Sequence, residues 1–213
     1  MNCVKRGFLT RCVATLLVAW TTSGQAQDNP PQIGVFFDTA GNSCNTTLIP
    51  FGSVRAHLLA FVEPGVELGG AFFRLQVPPS IDIEDVQWAK NSNHKGGLTA
   101  TTGAELIFQV CPTTTGAPVT LVSFLLTDVS FGGPRPDLLI DIGGGTITAP
   151  DTLTLRQPNF KVCDPNDPEG YSDLIVATST RTTMNCSAGE CPCSETALTP
   201  TTWTALRKLY ADD

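Results

Sequence analysis

The sequence predicts an all-β protein, an antiparallel β-sandwich with a Cys-rich C-terminal segment and one short C-terminal helix. Three observations favour this fold. The chain has 213 residues, which is enough for one hydrophobic core. It contains 28 Thr, 19 Gly and 16 Pro, a composition typical of strands and turns rather than of a helical bundle. About ten short apolar or alternating segments follow one another without helical patterns between them.

The predicted strands are separated by clusters of Gly, Pro and Asn, which reverse the chain. Alternation is clearest in 71–77 and 81–84, where polar and apolar residues take opposite faces. The strands are predicted at 33–38, 54–62, 70–77, 81–88, 105–111, 118–129, 137–142, 146–149, 153–156 and 172–179. The candidate core residues are large apolar side chains of these strands, namely Phe36, Leu59, Phe61, Phe72, Leu75, Ile107, Phe124, Leu126, Leu139, Ile140 and Ile175.

Two segments between the strands carry their own predictions. The polar run NSNHKGG at 91–97, which includes His94, is expected to form a turn. The segment LLIDI-GGG-TITA at 138–149 predicts a hairpin whose two strands pair with each other.

Residues 1–26 have the three regions of a signal peptide: a positive start, an apolar run and a cleavage site with small side chains. These regions contain, in order, Lys5, Arg6 and Arg11, then Cys12–Trp20, then Gly24 and Ala26. The apolar run is shorter than the ~20 residues that span a bilayer. We therefore expect a secreted or extracellular protein, in the periplasm or at the cell surface as alternatives, with no membrane span in the mature chain.

The mature chain is strongly acidic. Loss of the three basic residues of the leader leaves 10 Lys and Arg against all 20 Asp and Glu, a net charge of -10. Nucleic-acid binders need clustered basic residues, so this charge argues against a nucleic-acid partner.

The mature chain divides at the point where its composition changes. Residues 27–179 are expected to form the sandwich domain, and 180–213 a polar Cys-rich tail. The tail ends in TTWTALRKLY, which predicts a short helix capped by Thr202. Its apolar side contains Trp203, Leu206, Leu209 and Tyr210.

Six cysteines remain after removal of the leader: Cys44, Cys111, Cys163, Cys186, Cys191 and Cys193. Thiols pair in an oxidising compartment, so we expect three disulfides, although sequence does not determine their pairing. We expect at least one bridge within 163–193 and one that joins Cys44 to Cys111. A zinc site and a redox-active Cys-Pro-Cys are the alternatives, and the Cys-Pro-Cys spacing is tight for two ligands of one zinc ion.

One acidic loop contains oxygen ligands of the kind that calcium prefers. The candidate ligands are Asp164, Asn166, Asp167 and Glu169. The EF-hand pattern fails here because Asp167 falls one residue early, and two prolines stiffen the loop. A solvated turn is therefore the alternative interpretation, and no other cofactor is expected.

No catalytic residues are predicted. His57 lies within an alternating strand, and neither G-x-S-x-G nor H-E-x-x-H occurs. Two carboxylates in a cleft could still hydrolyse a glycoside, but sequence does not pair them.

The segments GAFFRLQVPPSIDIEDVQW at 70–88 and PVTLVSFLLTDV at 118–129 resemble cohesin modules and similar carbohydrate-binding sandwiches of secreted bacterial proteins. The resemblance covers about residues 33–156 and implies a cohesin-like or jelly-roll-like sandwich. The chain as a whole resembles secreted proteins of environmental bacteria. It departs from the cohesin and carbohydrate-binding types because it has no dockerin-type calcium repeat and no visible row of exposed aromatic residues.

These observations lead to one functional expectation and two alternatives. We expect an exported, non-catalytic extracellular module for binding or surface structure, with a polysaccharide or a cell-surface protein as partner. The alternatives are a secreted carboxylate-based hydrolase of glycosidase type and a purely structural envelope or matrix protein.

Export can be tested directly. We expect the protein recovered outside the cell to begin at Gln27, because Gly24 and Ala26 occupy the small-residue positions that signal peptidase requires. Intact-mass analysis of secreted material measures this, and a mature protein that still begins at Met1 would contradict it.

Overall fold

A computed structural model of the chain describes residues 31–131, 135–144, 146–148, 152–154, 157–166, 170–175, 178–186 and 194–197. Regular secondary structure in these ranges consists entirely of strands. The predicted signal peptide, the predicted terminal helix, Cys191, Cys193, Asp167 and Glu169 lie outside them. Within these ranges, no helix has the length and apolarity needed to cross a membrane.

The described residues form fifteen strands, and the all-β prediction is confirmed. They are β1 (Gln32–Phe36), β2 (Asn45–Thr46), β3 (Ser53–Phe61), β4 (Leu68–Gln76), β5 (Ile81–Trp88), β6 (Ser92–Gly96), β7 (Ala104–Phe108), β8 (Val119–Asp128), β9 (Leu138–Gly143), β10 (Thr146–Thr148), β11 (Thr152–Thr154), β12 (Asn159–Cys163), β13 (Tyr171–Ile175), β14 (Thr178–Met184) and β15 (Ser194–Ala197).

The strands form the two layers of a β-sandwich. One layer, the front sheet, has the order β15-β14-β1-β3-β8-β5. The other layer, the back sheet, is built around β4, which pairs with β7 on one side and with β12 and β9 on the other. Strand β6 pairs with the free side of β7, and β13 pairs with the free side of β12. Strand β14 belongs to both layers, because Thr178–Thr180 pairs with β1 and Thr182–Met184 pairs with β9.

Three predictions about strands need correction. The segment that contains His94 is strand β6, which pairs with β7, rather than a turn. The predicted hairpin of β9 and β10 is absent, because β9 pairs with β4 and β14 while β10 pairs with β11. The predicted strand 172–179 is divided between β13 and β14. Strands β14 and β15 also extend the sheet past residue 179, the position at which the sequence analysis ends the sandwich domain.

The core lies between the two layers. Phe73 of β4 and Trp88 of β5 contact each other across it, with 6.4 Å between ring centroids. Seven predicted core residues are buried: Leu75, Phe124, Leu126 and Ile140 belong to this core, whereas Phe36, Leu59 and Phe72 are buried without belonging to it. Phe61 and Ile107 are half-buried, and the side chain of Ile175 is outside the described part. The prediction for Leu139 is wrong: its neighbours Leu138 and Ile140 face the core, so alternation turns Leu139 outward, where it is 39% exposed.

A second, smaller apolar cluster lies on the outer surface of the front sheet. It contains Phe36, Cys44, Leu59 and Phe61, and the Phe36 and Phe61 rings meet edge to face at 5.4 Å. The loop after β1 covers this cluster and is held by Asp38, whose carboxylate accepts backbone N–H groups of Ala40, Asn42 and Ser43.

The charge of Asp38 is stabilised by this loop. Burial by itself would raise the pKa of Asp38, but the backbone N–H groups of Asn42, Ser43, Ala40 and Gly41 outweigh it and lower the pKa. Gly41 has a φ of 76°, and a Cβ at this position would collide with the ring of Phe61. The loop therefore lies too close to the aromatic cluster for a larger residue there.

A disulfide joins Cys111, which follows β7, to Cys163 at the end of β12, with a Cα–Cα distance of 6.5 Å. The predicted pairing of Cys44 with Cys111 is therefore wrong. Cys163 also cannot supply the bridge that the sequence placed within 163–193. Cys44 and Cys186 are each disulfide-bonded as well. The expected total of three bridges stays a prediction.

Removal of the Cys111–Cys163 bridge should destabilise the fold. The bridge closes a loop of sequence separation 52, so loop-closure entropy predicts a loss of about 4 kcal/mol in unfolding free energy for the double variant Cys111→Ser/Cys163→Ser. Urea denaturation of the oxidised wild type and the variant measures the difference. Equal midpoints, or a peptide map that pairs Cys111 with another cysteine, would contradict the prediction.

Candidate binding surfaces

The predicted calcium loop is described only in part. Asp164 Oδ1 accepts hydrogen bonds from the backbone N–H of Asn166 at 2.9 Å and from its side-chain amide at 3.2 Å. The Asp164 N–H in turn donates to the carbonyl of Gly170 at 3.0 Å. In the described ranges, no group of three or more His, Cys, Asp or Glu residues is arranged to hold a metal. Asp164 and Asn166 thus form a local turn, and calcium binding by the four residues stays a prediction.

The structure contains a serine–histidine pair that the sequence analysis missed. His57 of β3 and Ser123 of β8 are cross-strand partners, and Nδ1 of the imidazole lies 2.8 Å from the serine Oγ. The two residues are 66 positions apart, and their pairing depends on the register of two strands. No short-range pattern in the sequence reports that register.

Among the residues that the structure describes, the other groups that acyl transfer requires do not accompany this pair. Ser123 has strand partners on both sides, His57 in β3 and Gln87 in β5, so the surrounding backbone amides are used in the sheet rather than aimed at an oxyanion. Asp38, the acid whose charge acts on His57, is held by its own loop. We therefore interpret His57 and Ser123 as a polar cross-strand pair on the outer face of the front sheet.

Two described carboxyl groups have shifted pKa values, and both shifts are downward. A hydrogen bond from Arg55, followed by one from Gln87, lowers the pKa of Asp85, and Asp38 is lowered by its loop amides. A glycosidase needs the opposite shift in its general acid. Neither Asp38 nor Asp85 therefore has the property that the hydrolase alternative requires.

The clearest surface feature is a cluster of large apolar side chains at one end of the sandwich, here called the end patch: Ile49, Phe51 and Phe131. Their exposed fractions are 65%, 62% and 94%. The Phe51 and Phe131 rings contact each other edge to face, with 5.3 Å between centroids and 71° between ring planes. Three large apolar side chains grouped in solvent are more unusual than single exposed ones and are typical of interaction sites.

The backbone positions Phe51 at a conformational cost. The Gly52 N–H donates to the Ile49 carbonyl at 2.8 Å and closes a turn in which Phe51 has a φ of 58°. Residues other than Gly adopt this left-handed region at a cost of roughly 1–2 kcal/mol. Two hydrogen bonds hold the turn against β8, from the Phe51 N–H to the Asp128 carbonyl and from the Asp128 N–H to the Gly52 carbonyl.

A side groove of about 560 Å³ lies at the other end of β8. Its apolar walls include Trp88, Phe108, Val110 and Val119. The Trp88 indole is stacked on the His94 ring, with 4.2 Å between centroids and 12° between planes. Since His94 covers one face of the indole, that face is not available for a sugar ring.

A second depression, of about 580 Å³, contains Asp82 and Glu84 beside the turn Pro78–Pro79. Both acids are exposed and lie on the same side of the edge strand β5. The depression is a shallow acidic surface rather than a closed cleft.

Burial of His57 makes stability depend on pH. Burial, with a smaller contribution from Arg55, lowers the pKa of His57 below its ordinary value of 6.5, and Asp38 opposes this shift. The unfolded chain therefore binds a proton at a higher pH than the folded one, and stability falls as the pH drops below 6.5. Between about pH 7.5 and about pH 5.5, the wild type should lose more unfolding free energy than His57→Gln. Urea denaturation at each pH measures this, and parallel pH slopes would contradict it.

Comparisons with known proteins found several solved structures to which this chain is similar. No protein family and no curated protein matches the chain. A type I cohesin of Pseudobacteroides cellulosolvens is similar with a TM-score of 0.48 at 8% identity, covering 78% of this chain and 96% of the cohesin. A non-cellulosomal cohesin of Archaeoglobus fulgidus is similar at 0.45 and 12% identity, with 76% and 94% covered.

A third similar structure is a cohesin of Acetivibrio cellulolyticus, solved in complex with a dockerin. Its TM-score is 0.47 at 9% identity, and the match covers 75% of this chain and 100% of the cohesin. The cohesin-like resemblance predicted from the sequence is confirmed, as a weak resemblance to cohesin modules in fold.

Proposed function

We propose that the mature protein is an exported, non-catalytic module that binds a protein partner through the end patch of Ile49, Phe51 and Phe131. One observation carries this proposal: Phe51 is held in a left-handed conformation and 62% exposed, in contact with a Phe131 that is 94% exposed.

The arrangement costs stability in two ways. Two phenylalanine rings remain in water although burial of such a side chain is worth about 1.5–3 kcal/mol. The left-handed backbone of Phe51 adds its own cost, which a glycine at the same position would remove. A fold that retains both costs in one loop cluster is typical of a binding surface carried on a rigid scaffold.

The shape of the patch favours a protein over a polysaccharide. Sugar rings stack on flat aromatic faces, whereas the Phe51 and Phe131 rings lie at 71° to each other and form no common platform. Ile49 adds a branched aliphatic side chain without a hydrogen-bonding group. Compact apolar anchors of this kind insert into pockets at the centre of protein interfaces.

Export is supported by the oxidised cysteines. Cys44, Cys111, Cys163 and Cys186 are all disulfide-bonded, and disulfides persist in oxidising compartments outside the cytosol. The predicted leader provides the route to such a compartment, so a cell-surface or secreted partner fits the proposal.

The proposal requires that one partner lose affinity when the patch is changed. Secreted and cell-surface proteins of the producing organism, and a dockerin, would be screened for binding to the mature protein. Polysaccharides would be screened in parallel, and both screens would be run with and without calcium. The same proteins and polysaccharides would be assayed for hydrolysis. A protein identified in this screen would be purified, and its Kd measured. We expect Phe131→Ser to weaken its binding by about 30-fold, since loss of one central aromatic anchor costs about 2 kcal/mol.

Val110→Ser is the matched control. Val110 is 72% exposed and lines the side groove, at the opposite end of the ten-residue strand β8, so its variant should bind as the wild type does. Equal loss in both variants, binding to polysaccharide alone, or turnover of a ligand would contradict the proposal. The absence of any binding would favour the structural envelope or matrix role.

A further inference from the structure

Three buried oxygen atoms without a hydrogen-bond partner lie where β5 begins and β8 ends. They are Oδ2 of Asp128 and the hydroxyl oxygens of Ser80 and Ser130. The exposed fractions of these residues are 0%, 6% and 4%. The three residues are neighbours in the fold, because Ser130 donates its N–H to Asp128 Oδ1 at 2.8 Å and the Ser80 carbonyl accepts the N–H of Val129, next to Asp128, at 2.9 Å.

The carboxylate lacks the compensation that buried charges ordinarily have. Its Oδ2 atom has no hydrogen-bond partner, and the ion pairs Arg55–Asp85, Lys161–Glu105 and Arg181–Asp141 do not include Asp128. Buried polar atoms in folded proteins are nearly always hydrogen-bonded, and buried charges are paired or bind metals. Three unpartnered oxygens on residues that these hydrogen bonds hold close together therefore require a partner that the protein itself does not supply.

We propose that Asp128, Ser80 and Ser130 bind a small hard cation, with water completing its coordination. Their donor atoms are oxygens without nitrogen or sulfur, which is the ligand chemistry of Na⁺, Ca²⁺ and Mg²⁺. Neither hydroxyl hydrogen-bonds to Asp128 Oδ2, so the three oxygens do not satisfy one another. An ordered water could bridge them, but a water leaves the carboxylate charge uncompensated, whereas a cation compensates it.

The position of this site gives it a structural consequence. The backbone N–H and carbonyl of Asp128 are the groups that hold the turn carrying Phe51. A cation on the Asp128 side chain stabilises the segment that supports the end patch. The cation site itself does not depend on what the patch binds.

The test uses the intact mature protein, treated with a chelator and exchanged into choline chloride buffer. Thermal unfolding would then be followed while NaCl, CaCl₂ or MgCl₂ is added in separate titrations at constant ionic strength. A cation that binds only the folded state raises the Tm in proportion to the logarithm of its concentration once this exceeds the Kd, by about 5–10 °C at a hundredfold excess. The three titrations show which cation the site takes.

Variants locate the effect. Asp128→Asn should abolish the rise in Tm, while Asp82→Asn, which removes an exposed carboxylate from the adjacent strand β5, should retain it. If Asp128→Asn does not fold, Ser130→Ala is the second variant and should raise the cation concentration at which the Tm begins to rise. A Tm that none of the three cations changes overturns the proposal in favour of ordered water. A rise that survives both variants, or that Asp164→Asn removes, also overturns it.

Discussion

The pairing of β3 with β8 is the constraint on which the rest of the structure depends. Its register turns Ala56, Leu58, Phe124 and Leu126 into the core. The same register places His57 beside Ser123 on the outer face, because neighbouring residues of a strand point to opposite sides. Beyond the last paired residues, Asp128 and Gly52 continue the hydrogen bonding and hold the turn that exposes Phe51. Core, outer face and end patch are three consequences of one ladder.

Sequence reasoning predicted those strands whose side chains alternate and failed where pairing alone makes a strand. The bounds of β5 are as predicted, since Asp82 and Glu84 alternate with buried or half-buried isoleucines. Strand β6 has the sequence SNHKG and no apolar side chain. It forms a strand because its backbone pairs with the edge of β7. The polar strand β14 is ordered in the same way by its neighbours on both sides. Such strands depend on partners that are distant in the sequence, and local patterns do not report them.

The candidate site was less predictable than the fold. The segment Ile49–Pro50–Phe51–Gly52 has the composition of a turn, but composition does not show that phenylalanine rather than glycine takes the left-handed position. Phe131 follows a predicted strand, and its exposure depends on where β8 ends relative to that turn. The disulfide could not be predicted for the same reason. Cys111 follows β7 and Cys163 ends β12, and the two cysteines are brought together because both strands pair with β4. In each case a contact between distant segments decides the outcome.

Polar contacts at the sheet edge and on one sheet face distinguish these surfaces from the end patch. At the edge of the front sheet, β5 is interrupted by a bulge at Asp85, where Arg55 binds both the carboxylate and the backbone carbonyl. Bulges and charges of this kind prevent an edge strand from pairing with another chain. On the outer face of the back sheet, Lys161 pairs with Glu105 at 2.9 Å, so these two charges satisfy each other. The Asp85 bulge and the Lys161–Glu105 pair place charges at the sheet edge and on the sheet face, whereas the Phe51 and Phe131 rings contact each other and remain 62% and 94% exposed.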